Sequence, residues 1–538
     1  MKNKWDSIEA KKYIQKYNKN RITKDLALRI YTTHLLGRDK ALVLHGGGNT
    51  SLKTASKNIF NKKIDVMHIK GSGWDMGTIE YQGLPAVELN PLKATLNLNK
   101  LNDFEMVNLQ RKCLLNSSSP NPSVETLLHA FLPYTYVDHT HASAILSLID
   151  QPSDIKICKD TFGDKVGIVP YVIPGFELAK IAYKVYSQNT KVIGLILLKH
   201  GIFTFGNSAK ESYDRMIKLV SIAEKKLQKI PSKIITKRAS KKKSIIEKKS
   251  NLFLPLIRKY LSYKEKDGSY TKWILNIRKN KRIIQYLNHP KLEKFTQRGP
   301  ITPDHVIRTK PKPLIIDLSK KKENQIETTI KNNIKKFKSE YKKYFLRNKK
   351  YLPNSKELDP NPRLVFIPGF GIIGIGRTLK EASIASDLAE ITVDVISKAE
   401  SFGKFQSINE KEIFKVEYWS LEQAKLKGAI RQSFTGNIVV ISGGCGAIGL
   451  ATAREFLNEG AEVILLENNL LNIKNTPKEI AKKVKIIKCD VRDILDVKKA
   501  FEQICLTFGG MDVLISNAGA AWQGNIGTVS DKIIKESF

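Results

Sequence analysis

The amino-acid sequence predicts an α/β fold spread over more than one domain, and three observations carry that expectation. At 538 residues the chain exceeds what one hydrophobic core normally organises, while 41% hydrophobic content lets each part be globular. Short apolar, β-branched runs alternate with amphipathic helical stretches through the first 230 residues. Late in the chain a strand runs through a glycine-rich turn into a helix, in NIVVISGGCGAIGLATAREFL.

Taken in order, ALVLHG, KIDVMHIKG, YTYVDHTHA and KVIGLILLKHG read as strands, and ITKDLALRIYTTHLL and SAKESYDRMIKLVSIAEKKL as helices, giving a first domain over residues 1–230. Residues 231–250 are rich in Lys and Ser with little periodicity and read as a basic linker. A middle region follows over 251–432 and a third over 433–538. In the middle region RLVFIPGFGIIGIGRTLKEASIAS repeats the pattern of KVIGLILLKHGIFTFGNSAKESYDRM: strand, glycine turn, strand, and a helix opening on Lys-Glu. Setting Lys210 on Lys380 places His200 on Phe370 and VDHTHA on VIRTKP. Two readings stand, a degenerate second copy of the first domain with its histidines lost, or chance recurrence of a common α/β pattern.

The balance of 91 Lys+Arg against 52 Asp+Glu gives a formal charge of +39. The lysines are spread through the whole chain rather than gathered into a patch, so neither nucleic acid nor membrane is expected as a partner, and a small anionic substrate is compatible. The five cysteines, Cys113, Cys158, Cys445, Cys489 and Cys505, form no CxxC pair, which suits a reduced, cytoplasmic chain. The N-terminus has no apolar signal core, and VIGLILL is too short to span a bilayer.

Side chains alternate faces along a strand, so His139 and His141 in VDHTHA point the same way. His200 sits at the end of another strand, before Gly201. Three imidazoles with an open position suit catalytic zinc, although a lone HxH is equally compatible with satisfied core histidines. Glu125, in PSVETLLHAFL, reads as a first-turn residue of a helix beginning at Pro122-Ser123. There it serves either as general acid/base or as a complement to the helix dipole. His129, four residues on and on the same face, reads as a ligand or a packing residue, with packing favoured. LHGGGNTS and KGSG offer backbone N–H groups and hydroxyls suited to phosphate, though each alone is an ordinary turn.

Together GGGNTS, KGSG, PSVE, HTH and HG, in that order, resemble the class II aldolase/adducin family over about residues 20–230. The resemblance implies an α/β/α domain with Zn2+ on His139, His141 and His200, Glu125 as acid/base, and phosphate contacts from Gly48, Asn49, Gly71, Ser72 and Ser123. It implies an enzyme, because the non-enzymatic branch lacks the zinc histidines, and an assembly into homo-oligomers.

In the third region strand, helix, second strand and terminal acid fall in dinucleotide-binding order, a partial Rossmann fold, with Glu467 favouring NAD over NADP. KCDVRD and NAGAA resemble the short-chain dehydrogenase/reductase family. That resemblance implies a cofactor site from Gly443, Gly444, Ile448, Gly449, Glu467, Asp490, Asn517, Ala518 and Gly519, with Ala447 where the family often has a glycine. The sequence stops before the family's Tyr-x-x-x-Lys. Tyr260 and Lys264 have that spacing but lie upstream, so the third domain is expected to oxidise no aldehyde. RGPITPDHVIRTKP and FKVEYWSLEQAKLKG extend the likeness to bifunctional proteins joining rhamnulose-1-phosphate aldolase to a short-chain dehydrogenase. The expected reaction is cleavage of L-rhamnulose 1-phosphate to dihydroxyacetone phosphate and L-lactaldehyde. A metal-dependent epimerase or dehydratase of phosphorylated sugars, or a non-catalytic binding protein, are the alternatives.

Overall fold

The computed structural model describes residues 1–234, 245–426, 432–519 and 527–537. Residues 235–244 of the expected linker lie outside the described residues, and its end is helical rather than irregular, in Ile245–Lys248 and the start of Ser250–Leu261.

The first sheet is built from β1 (Asn49–Lys57), β2 (Lys63–Ile69), β3 (Ala86–Glu88), β4 (Tyr136–Thr140), β5 (Val166–Val169), β6 (Gly194–Leu197) and β7 (Gly201–Gly206), in the order β3-β2-β1-β4-β7-β6-β5. Only β5 and β6 pair in parallel. Along β4, β6 and β7 the residues are buried on both faces and alternate between two cores. Ile196 and Ile202 join one core, with the helices Ser143–Ile149 and Ala209–Gln228; Val137, Leu195, Leu197, Phe203 and Phe205 join the other, with Thr126–Phe131 and Phe176–Gln188. This is a three-layer α/β/α unit.

The middle region adds a short hairpin, β8 (Tyr263–Lys264) with β9 (Tyr270–Thr271), and a sheet of β10 (Ile274–Arg278), β11 (Leu314–Ile315), β12 (Leu364–Ile367) and β13 (Gly371–Gly376), ordered β10-β13-β12-β11. Its order, directions and register repeat those of β4-β7-β6-β5. Ile274 faces Gly376 as Tyr136 faces Gly206, Leu364 faces Gly374 as Gly194 faces Thr204, and β11 runs parallel to β12 as β5 does to β6. Even the hairpin turn recurs, with positive φ at Lys199 (60°) and at Gly369 (79°). Both following helices open the same way: Ser208 Oγ accepts from the Glu211 amide and Thr378 Oγ1 from that of Glu381.

That register corrects the alignment of VDHTHA with VIRTKP. The counterpart of β4 is β10, whereas Val306–Thr309 is a helical turn. The spacing differs because the chain between the paired strands is longer, in part through the helix after β11, Glu323–Asn348, with 26 residues against 13 for Phe176–Gln188. In place of His139, His141 and His200 the middle sheet holds Ile277, Lys279 and Phe370.

The third sheet comprises β14 (Ile438–Ser442), β15 (Glu462–Glu467), β16 (Lys485–Lys488) and β17 (Val513–Ile515), ordered β16-β15-β14-β17 with every pair parallel. Its core includes Ile274 of β10 beside Ile438 and Val440, and the Arg258 guanidinium meets Asp512 at 2.6 Å. Among the described residues no helix is long and apolar enough to cross a membrane.

Candidate active site

The three histidines meet where the β6–β7 turn crosses the end of β4. His139 and Phe203 are register partners, and their rings stack with centroids 4.2 Å apart. His139 Nδ1 lies 3.1 Å from the Ile202 carbonyl and donates to it, which leaves its Nε2 lone pair facing His141 Nε2 at 3.1 Å. His200 follows Lys199 in the turn, and its ring centroid is 5.1 Å from that of His139 and 5.3 Å from that of His141. One nitrogen from each ring lies within 4.8 Å of the other two. Gly201 is required here: a Cβ would come within 2.5 Å of the Thr140 carbonyl and 3.1 Å of both imidazoles.

Glu125 closes the group. It is the N-cap residue of the helix Thr126–Phe131, which starts later than Pro122-Ser123 because Pro122 pairs with Gly71 and the Ser123 amide donates to the Lys70 carbonyl. Glu125 Oε2 is 3.4 Å from His139 Nε2, and Oε1 is 3.7 Å from His200 Nε2. Asn49 aims the carboxylate: its amide nitrogen donates to Glu125 Oε2 at 2.7 Å and Ser123 Oγ at 3.0 Å, so both its hydrogens are engaged. His129 holds Asn49 in turn, with Nε2 against Asn49 Oδ1 and Nδ1 2.8 Å from Ser51 Oγ. It is a fully buried brace for the acid.

The donor set suits a divalent cation. Both ring nitrogens of His200 and Oε1 of Glu125 are buried without a hydrogen-bond partner, a costly arrangement unless an ion engages them. Burial lowers the basicity of all three rings, His139 to about 4, so they are held as neutral imidazoles with lone pairs to offer. Burial likewise pushes Glu125 above the usual carboxylate range, against the opposing pull of His200.

A narrow cleft opens beside this group. Four of the five expected phosphate residues, Gly48, Asn49, Ser72 and Ser123, line it; Gly71 stands behind, paired with Pro122. Lys70 ties the two glycine loops together, donating to the carbonyls of Gly46 (2.9 Å) and Trp74 (2.7 Å). The opposite wall was not read from the sequence: it comes from the middle region, in Asp304 and Lys425. Asp304 Oδ2 is 3.8 Å from His141 Nε2, and Lys425 is paired with the buried Glu422.

In the third unit the glycine turn packs as a dinucleotide loop. Gly449 lets the helix Ala447–Asn458 approach the turn, since a Cβ there would stand 2.7 Å from the Gly443 carbonyl, and Gly444 lies against Leu465. Glu467 ends β15 and accepts from the amides of Asn468 and Asn469. Ser442 Oγ receives the amides of Asn517 and Ala518, and the Asn517 side chain returns a hydrogen bond to the Ser442 carbonyl at 3.0 Å. Ile448 is exposed at the helix start, Asp490 is held by Arg492 at 2.9 Å, and a Cβ on Gly519 would meet open space. The hydroxyl of Tyr260 is engaged elsewhere, donating to Glu327.

An α/β/α unit with three converging histidines is joined to a parallel sheet of Rossmann type, which defines a protein of two fused α/β classes. Comparison with known proteins agrees. Residues 28–227 match the class II aldolase and adducin N-terminal domain, 248–426 the second domain of class II aldolase, and 437–538 the short chain dehydrogenase model. The uncharacterized oxidoreductase YuxG of Bacillus subtilis is 31% identical over 544 residues, spanning 97% of this chain and 75% of YuxG. The chain therefore belongs to the family that fuses class II aldolase domains to a short-chain dehydrogenase domain. Among solved structures, the N-terminal class II aldolase domain of a conserved Thermoplasma acidophilum protein is 37% identical, covering 42% of this chain and 99% of that one, with a TM-score of 0.38. The sorbose reductase SOU1 of Candida albicans is 33% identical over 93 residues, 17% of this chain and 33% of the reductase. Thus the chain spans about a third of that short-chain relative's length.

Proposed function

We propose that this chain is a zinc-dependent aldolase cleaving a ketose 1-phosphate, with L-rhamnulose 1-phosphate the foremost candidate, to dihydroxyacetone phosphate and L-lactaldehyde. The observation that carries the reading is the convergence of His139, His141 and His200 with the Glu125 carboxylate against two of the three rings. Bound there, zinc would supply Lewis acidity for the negative charge that develops when the carbon–carbon bond breaks. Glu125, aimed by Asn49 and raised in basicity by burial, takes the proton from the hydroxyl that becomes the aldehyde and returns a proton to the carbon left with the bonding pair on the phosphate-bearing fragment. Ser72 and Ser123 line the cleft where the remote phosphate is gripped, which fixes the reacting carbons relative to Glu125. On the same reading the third unit takes NAD, with Glu467 at the end of β15 as the acceptor for the ribose hydroxyls.

The test is product analysis with zinc-loaded protein and L-rhamnulose 1-phosphate, alongside other ketose 1-phosphates. Two smaller fragments are expected, whereas a single product of unchanged mass would mean an epimerase. Glu125→Gln should lower cleavage by about 10²–10⁴-fold while zinc, held by the three histidines, is still taken up, as measured by elemental analysis. Protein that takes up no zinc on supplementation would remove the reading.

A further inference from the structure

We propose that Lys425, supplied by the middle region, is the cation that holds the anionic group of the substrate. The inference rests on the phosphorylated-sugar reading above and names a binding residue that none of the first domain's motifs contains. Lys425 lines the same cleft as Ser72, Ser123 and Glu125, and its side chain is 16% exposed. An ammonium has three hydrogens to donate; Glu422 takes one, and among the described residues no second hydrogen bond is formed. Lys70, the other cation in the cleft, is engaged instead: it donates to loop carbonyls, and burial pushes it down to about 7, with the nearby charge of Lys425 acting in the same direction. Burial disfavours the charge on Lys425 too, but Glu422 and Asp304 outweigh it and hold the amine protonated.

The arrangement has a chemical logic. The glycine loops offer neutral N–H and hydroxyl donors, which grip an oxyanion without neutralising it. Lys425 adds the missing full charge from across the cleft, and charge-assisted bonds are about twice as strong as neutral ones. Asp304, between Lys425 and His141, belongs to the same wall and presents an acceptor to substrate hydroxyls. Binding the anion thus clamps the first domain to the middle region.

The experiment compares dihydroxyacetone phosphate with dihydroxyacetone by calorimetry on the full chain. Wild type should prefer the phosphorylated ligand, and the double variant Lys425→Gln, Glu422→Gln, which removes the buried Glu422 carboxylate together with its partner, should lose about tenfold or more of that preference. Lys425→Arg should keep it within about threefold, because the charge is retained. An unchanged preference in a double variant that melts like wild type, or a Lys425→Arg variant that melts like wild type yet loses the preference about tenfold, overturns the proposal. Lys425-dependent binding without fragment formation would remove the aldolase reading alone. Fragment formation with Lys425-independent binding would remove this inference alone.

Discussion

At the scale of single residues, burial decides what each ionisable group does. Lys70 shows this in a measurable way. Its folded-state basicity falls to about 7 from 10.5, so below pH 7 both folded and unfolded chains carry the proton and the cost of burying it is fully felt. Between pH 7 and 10.5 only the unfolded chain keeps the proton, and stability rises with pH. Urea midpoints measured from pH 7 to 10 should therefore climb more steeply for wild type than for Lys70→Met; parallel profiles would contradict the assignment. The motif residues were legible in the sequence because His139, His141 and Glu125 sit in short contiguous patterns. Asp304 and Lys425 were not. RGPITPDHVIRTKP and FKVEYWSLEQAKLKG stood out by resemblance, but their place depends on the approach of segments far apart in the chain, and nothing within them says that Asp304 and Lys425 face the histidines. His129 was read as packing, whereas its two ring nitrogens link Ser51 to Asn49 and through it to Glu125.

At the scale of elements, the crossing of β4 by the β6–β7 turn is the part with least tolerance. Gly201→Ala drives a methyl into the Thr140 carbonyl and both imidazoles. A loss of about 1–3 kcal/mol is expected, with reduced metal content as the sharper readout. The opposite face of β4 is secured by a buried ion pair, Arg29 with Asp138, and Asp138 also accepts from Ser212 of the helix Ala209–Gln228. Asp138→Asn leaves a fully buried guanidinium short of its counter-charge, and chemical denaturation should show a loss of about 3–5 kcal/mol. The strand pattern was readable from apolar runs, including the repeat at β12 and β13. Its extension to VIRTKP failed because inserted residues, only part of them helical and all invisible to a fixed spacing, displaced the counterpart of β4 to β10.

At the scale of the whole molecule, the three sheets act as one framework. Arg258, on the helix Ser250–Leu261, donates to the Trp273 and Gly436 carbonyls and to Asp512, so it spans the middle and third units. Asp512→Ala should cost about 2–3 kcal/mol and, in calorimetry, split off a separate low-temperature transition for the dinucleotide unit; a single unsplit transition would mean that other contacts suffice. The parallel sheet itself was legible from the glycine turn and Glu467. Its seat on β10 was not, since nothing local in ILNIR says that Ile274 packs into one core and Leu275 into another. That division of neighbouring residues has a practical corollary. Anyone who severs the gene ahead of the dinucleotide unit, hoping for two tidy enzymes, will strip the cover from Ile274 and leave each half with a greasy scar prone to clumping.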